Sequence, residues 1–243
     1  MPVWSPRGDQ IAFLNAGPGG WAQLYVAKVD GTKPVALTGD TIRAGMPAWS
    51  PDGRSLAFAR FNAGPMEDHA SIAVIREDGS VVVARYFGGA YSPHAYRPSW
   101  SPDGRRIAFK MTPEYRPVIH VMNADGSEPK ALTGGLYDVD PVWSPDGSRI
   151  AFARNSDSAA WAGELTIWVM NADGSGQTEL TGTQGQGNPQ WSPDGRHILF
   201  DSRWGTQIVP LSAGPPRTLF SQGYGARPSP DGTRIVFETS SPL

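Results

Sequence analysis

Six near copies of one ten-residue phrase run through the 243-residue chain: WSPRGDQIAF (4–13), WSPDGRSLAF (49–58), WSPDGRRIAF (100–109), WSPDGSRIAF (143–152), WSPDGRHILF (191–200) and PSPDGTRIVF (228–237). Their serines, Ser5, Ser50, Ser101, Ser144, Ser192 and Ser229, lie 45, 51, 43, 48 and 37 residues apart. A period of this length suits either a propeller blade or a helical repeat. The local pattern decides between them. The apolar runs are short, rich in β-branched and aromatic residues, and bounded by Gly, Pro and Asp, which marks strands rather than amphipathic helices.

Each full repeat holds four strands. In the third, strand a is expected at 98–101, strand b at 106–111, strand c at 117–123 and strand d at 128–133. A four-stranded meander of this kind is one propeller blade. The fold class expected is all-β: a six-bladed β-propeller of four-stranded antiparallel blades, in a single domain over 1–243. Its blades are placed near 2–38, 47–86, 98–133, 141–181, 189–220 and 227–239. The last blade has room for strands a and b only, which makes 22 strands in all. Its outer strand, at 234–239, is expected to be an unpaired edge through which a second copy could add.

The turns carry their own chemistry. In SPDG, Pro presets φ for the second turn position, Asp suits the third, and Gly takes the positive φ that closes the hairpin with a bulge. NADG (123–126 and 171–174) repeats that logic between strands c and d, with REDG (76–79), KVDG (28–31) and LSAG (211–214) as variants. The repeated turns therefore share one end of the blades. The b–c and d–a connections share the other end, and they vary in length and composition, as binding loops on a rigid scaffold do. The recurring Trp4, Trp49, Trp100, Trp143 and Trp191 are expected to wedge between blades, and the Asp of each turn is expected to be a turn residue rather than a metal ligand.

Composition excludes several classes. The net charge is −2 with no basic run, so no phosphate-binding stripe exists and no nucleic-acid partner is expected. No Cys is present, which removes disulfides and thiolate metal sites. No stretch approaches the apolar length of a spanning helix, so no membrane insertion is expected. The opening MPVWSPRGDQ lacks the charged and apolar regions of a signal peptide. No G-x-S-x-G elbow, H-E-x-x-H motif or phosphate loop occurs, so the chain leans away from catalysis, and neither cofactor nor metal is expected.

The pattern P-x-W-S-P-D-G-x-x-I-A-F, then I-x-V-M-N-A-D-G, then L-T, is matched closely by 98–133 and 141–181 and more loosely by 2–38, 47–86 and 189–220. It resembles the TolB-type six-bladed propeller repeat, which is WD-repeat-like. The resemblance implies a bacterial propeller and, among its relatives, a protein-docking platform of the envelope, propellers that precede the hydrolase domain of prolyl-oligopeptidase-type peptidases, and sugar lyases. It implies a periplasmic setting, with the cytoplasm equally compatible. Shared fold does not assign activity.

Candidate binding residues lie at the variable end. Before the Pro of each strand a stand Met1, Met46, Arg97, Asp140, Asn188 and, by alignment, Gly225, at the expected mouth of the channel. Arg97, Arg227, Arg60 and Arg154 give this end a positive bias suited to a carboxylate or an acidic peptide tail. Tyr96, Tyr137, Trp161 and Trp204 supply interface aromatics, as do Trp21, Tyr91, Tyr115 and Tyr224. A protein or peptide partner is the leading expectation, with Arg97, Tyr96, Tyr137, Asp140, Trp161, Trp204 and Arg227 as its first contacts. A carbohydrate-binding or carbohydrate-active propeller, using Asp138, Asp140, Glu67, Asp68, His69 and His94, is the alternative. A third is that the chain is a fragment or module of a larger protein.

Overall fold

The computed structural model describes residues 2–62, 70–85, 96–112, 116–134, 137–155, 164–180, 185, 187–212, 214–221, 223–229 and 231–238. Among them every regular element is a β-strand. The first phrase opens a sheet of β1 (Val3–Trp4), β2 (Gln10–Ala16), β3 (Ala22–Lys28) and β4 (Val35–Ala36). The second opens β5 (Ile42–Trp49), β6 (Ser55–Asn62), β7 (Ala70–Arg76) and β8 (Val81–Arg85). The third opens β9 (Tyr96–Trp100), β10 (Arg106–Met111), β11 (Val118–Asn123) and β12 (Lys130–Ala131). The fourth opens β13 (Tyr137–Trp143), β14 (Arg149–Asn155), β15 (Thr166–Asn171) and β16 (Thr178–Glu179). The fifth opens β17 (Gly187–Trp191), β18 (His197–Ser202), β19 (Gly205–Pro210) and β20 (Arg217–Phe220). The sixth phrase forms β21 (Tyr224–Pro228) and β22 (Ile235–Glu238).

Each sheet is an antiparallel meander in chain order, and each is a blade of a β-propeller. Five sheets have four strands and the sixth has two, so five blades rather than six are complete among the described residues. Strand d falls short of expectation: in the third blade it is Lys130–Ala131, and Ser127, Glu128 and Pro129 before it form no strand. Strand a begins earlier than expected, at Tyr96 rather than 98, because a bulge carries its pairing past the proline.

Chain contacts divide the molecule into two compact units, one of Met1–Tyr115 with His120–Ala131 and one of Arg116–Ile119 with Leu132–Leu243. In the first, alternate residues of β6 face opposite ways. Leu56 and Phe58 pack with Ala12, Leu24 and Val26 of the first blade. Ala57 packs on the other side with Ile107, Phe109 and Met122 of the third. In the second unit, Ala151, Ala153 and Ile167 meet Trp191, Ile198, Phe200 and Val209 in the same manner.

The repeated turn is built as its sequence requires. Ser50 O accepts from Gly53 N at 2.9 Å, and the six phrase glycines hold φ between 65° and 71°. The serine, whose part the sequence does not announce, is the hub. Ser101 Oγ donates to Asp103 Oδ1 at 2.6 Å and accepts from Arg106 N at 2.9 Å, while Asp103 accepts from Arg105 N at 3.0 Å. These bonds hold Asp52, Asp103, Asp194 and Asp231 below the usual carboxylate range, chiefly through the serine hydroxyl. They take Asp146 down to about 2. The phrase aspartates are thus turn residues.

The tryptophans stitch neighbouring blades. Within the first unit, Trp49 Nε1 donates to Val3 O at 3.1 Å and Trp100 Nε1 to Ala48 O at 3.2 Å. In the second, Trp191 Nε1 donates to Val142 O at 3.1 Å. Each indole thus reaches the residue before the tryptophan of the preceding blade. Trp4 departs from the wedge role: it is 56% exposed.

Candidate functional site

Each strand a from the second blade onward breaks step with strand b at one place. Gly45 pairs with Ala59 and Ala48 with Ala57, so Met46 and Pro47 together oppose Phe58. The same two-against-one bulge recurs at Arg97–Pro98, Asp140–Pro141, Asn188–Pro189 and Gly225–Ala226. The first bulge residue is left-handed, with φ of 51° at Met46, 52° at Arg97, 58° at Asp140, 57° at Asn188 and 65° at Gly225. Glycine is the ordinary occupant of that conformation. Four of the five positions carry a side chain instead, at about 1–3 kcal/mol each. The described residues hold one other such non-glycine residue, Glu128. A bulge re-aims its side chain off the pleat, so the strain is concentrated where Met, Arg, Asp and Asn are displayed from the first strand of successive blades.

In the first unit, the variable ends of three blades carry an alternating run of rings and cations. Arg43 and Phe61 are direct cross-strand partners on β5 and β6, and the guanidinium lies 5.1 Å from the ring centroid. Arg43 also lies 5.9 Å from Trp21. Phe61 and Tyr96 meet at 5.5 Å. Tyr96 pairs in turn with Lys110 across β9 and β10, and Lys110 Nζ stands 4.3 Å from the Tyr96 ring. Trp21 and Arg43 are exposed, and Phe61, Tyr96 and Lys110 half-buried. Tyr96 thus lies where the sequence places it, beside the bulge residue Arg97. Arg43, Phe61 and Lys110 escaped notice because they are ordinary strand residues until the pairing register is known. Arg60, the neighbour of Phe61, is also half-buried, and its Nε is buried without a hydrogen-bond partner among the described residues.

The second unit is knit by carboxylates. Asp140 Oδ2 accepts the amide of Asn188 at 3.1 Å. Asp201 accepts Asn188 Nδ2 at 2.8 Å and the amide of Gly225 at 3.0 Å. Arg227 donates from NH2 to Asn188 Oδ1 at 3.1 Å. Bulge amides of the last two blades are therefore held by side chains of the blades before them. Asp201, absent from the candidates, is central here. Arg154 is taken up internally: Nε meets Asp138 Oδ1 at 2.6 Å and NH2 meets Asp138 Oδ2 at 3.0 Å, with both side chains buried. Tyr137 is half-buried against the core of this unit. Trp204 is 47% exposed on the tight turn between β18 and β19, with Arg203 over its ring at 4.3 Å. Trp161, Glu67, Asp68, His69, His94, Tyr91 and Tyr115 lie outside the described residues. No group of three or more His, Asp or Glu able to hold a metal occurs among the described residues. Among the described residues no helix is long and apolar enough to cross a membrane.

Residues 23–240 match the family model of the TolB beta propeller domain. The chain is 36% identical over 136 residues to the Tol-Pal system protein TolB of Anaeromyxobacter dehalogenans, a match covering 54% of this chain and 29% of that protein. The chain thus spans less than a third of that relative. The structure of a putative TolB from Agrobacterium tumefaciens superposes with a TM-score of 0.72 at 22% identity, covering 98% of this chain and 89% of that one. An oligogalacturonate lyase in complex with manganese superposes with a TM-score of 0.70 at 15% identity, covering 99% of this chain and 70% of that one. At these identities the two structures share the fold.

Proposed function

Because the chain belongs to the TolB β-propeller domain family, we propose that it is a protein- or peptide-docking scaffold, a single propeller over 1–243 whose sixth blade has two strands, and that it binds its partner at the variable-loop end. The observation that carries this reading is the run Trp21–Arg43–Phe61–Tyr96–Lys110. Rings and cations held in one another's reach are the material of interface hot spots, where aromatic area and Arg dominate. The strained Arg97 beside it supports the reading, since backbone strain collects at binding sites. In the second unit, Trp204 and Tyr224, 47% and 43% exposed, offer further contacts, and Arg227 on β21 donates to Asn188. Asp140 acts in this proposal as an organiser of the neighbouring bulge.

The test is selection of short random peptides on the intact chain. Peptides so selected are expected to lose at least about tenfold in affinity, about 1.4 kcal/mol, on Arg43→Ala/Tyr96→Ala, and to lose less on Arg97→Ala/Trp204→Ala. Affinity unchanged by both double variants sinks the site.

A further inference from the structure

The second and fourth blades carry the same arginine in the same register. Arg154 on β14 pairs directly with Asp138 on β13. Arg60 on β6 pairs directly with Ala44 on β5. Around Arg154 the blade supplies everything a guanidinium needs: the Asp138 carboxylate across Nε and NH2, Gln177 Oε1 at 2.9 Å, and the rings of Trp168 and Phe152 at 4.5 and 5.0 Å. Around Arg60 two of these groups are cut back. The position of Asp138 is Ala44, itself 3% exposed, and the position of Trp168, opposite the phrase phenylalanine, is Ala73 opposite Phe58. The arginine remains. Its Nε, the nitrogen whose counterpart in Arg154 makes the 2.6 Å bond, is buried with no hydrogen-bond partner among the described residues. A buried N–H left unmade is costly, and an arginine fork is matched by a planar carboxylate.

We propose that Arg60 is a carboxylate-receiving site, in which a docking polypeptide supplies the group that Asp138 supplies to Arg154. The missing partner is defined by the counterpart arginine of the fourth blade. It is an anion with two oxygens, and it reaches an arginine that is half-buried where Arg154 is buried. Such a carboxylate comes from an acidic side chain or from a chain terminus. The inference rests on the docking reading for this source, and it adds to that reading the chemistry of the ligand.

The arginine Nε–H resonances of the 15N-labelled intact chain test it. N-acetyl-aspartate N′-methylamide stands for the side chain, N-acetyl-glycylglycine for the terminus, and sodium chloride for ionic strength. The Arg60 signal is expected to shift saturably with at least one carboxylate and to follow chloride weakly, while the Arg154 signal stays in place. The carboxylate that binds more tightly names the source. In Ala44→Asp the blade gains its own carboxylate, and the Arg60 response is expected to fall at least about tenfold. Arg60→Gln, which adds no buried charge, is expected to weaken selected peptides by a similar factor. An Arg60 signal that moves no more with carboxylates than with chloride overturns the inference, and peptides that still depend on Tyr96 then leave the docking reading standing. Saturable carboxylate binding with peptide affinity unchanged in both Arg60→Gln and the Tyr96 variants upholds the carboxylate site and overturns the docking reading.

Discussion

The two ends of each blade are made of different physics. At one end six copies of the same turn close on themselves. In the five that carry the aspartate, the serine hydroxyl, the aspartate, the positive-φ glycine and three backbone amides satisfy one another within a few residues. At the other end four strand-a bulges hold left-handed non-glycine residues, cations lie over rings, and a buried arginine nitrogen has no hydrogen-bond partner among the described residues. A self-satisfied turn has nothing left to offer a ligand. Strain and unmet hydrogen bonds are tolerated where something else gains from them. Repetition therefore marks the scaffold, and the absence of repetition marks the end at which we propose that a partner docks.

The largest expected effect tests whether the variable end also bears structure. Asp138→Ala leaves Arg154 buried without its carboxylate and is expected to destabilise the fold by about 3–5 kcal/mol, read as the loss in urea midpoint. A loss under about 1 kcal/mol would show that this pair behaves as a surface ion pair despite its burial. At the repeated end, Ser101→Ala removes a buried hub and is expected to cost about 1–3 kcal/mol with peptide affinity unchanged. A change in affinity would blur the division between the ends. Met46→Gly relieves a left-handed backbone at an exposed side chain and is expected to raise stability by up to about 1 kcal/mol, measured as a shift in thermal midpoint. A lowered midpoint would mean that the bulge is unstrained.

The smallest effect concerns acid. The turn bonds lower the Asp146 carboxyl in the folded chain to about 2, from an ordinary value of about 3.9. A depressed folded value means that the contribution is complete above the unfolded value and fades as pH falls through the folded one. Stability is therefore expected to decline between about pH 4 and pH 2, with the slope slightly reduced in Asp146→Asn. An identical acid profile for that variant would remove the turn from the account.

Much of this was legible in the sequence, for a definite reason. Strands b, the SPDG and NADG turns and the stitching role of Trp49, Trp100 and Trp191 follow from local chemistry written several times over. The residues before the strand-a prolines were visible as a set, since Met46, Arg97, Asp140 and Asn188 share one place in the repeat. Their left-handed conformation was not visible, because the residue before proline is ordinarily extended and here the bulge overrides that preference. Arg60 and Arg154 looked alike. Only cross-strand register shows that one faces Asp138 and the other Ala44. Arg43, Phe61 and Lys110 were hidden for the same reason.

The division between the ends is tested most directly by mapping amide chemical shifts of the intact 15N-labelled chain with a selected peptide at saturation. The account predicts perturbations gathered at Arg43, Ala44, Arg60, Phe61, Tyr96 and Lys110, with the turns at Ser50–Gly53 and Ser101–Gly104 unmoved. Perturbations centred on those turns, with the residues around Tyr96 silent, would contradict it.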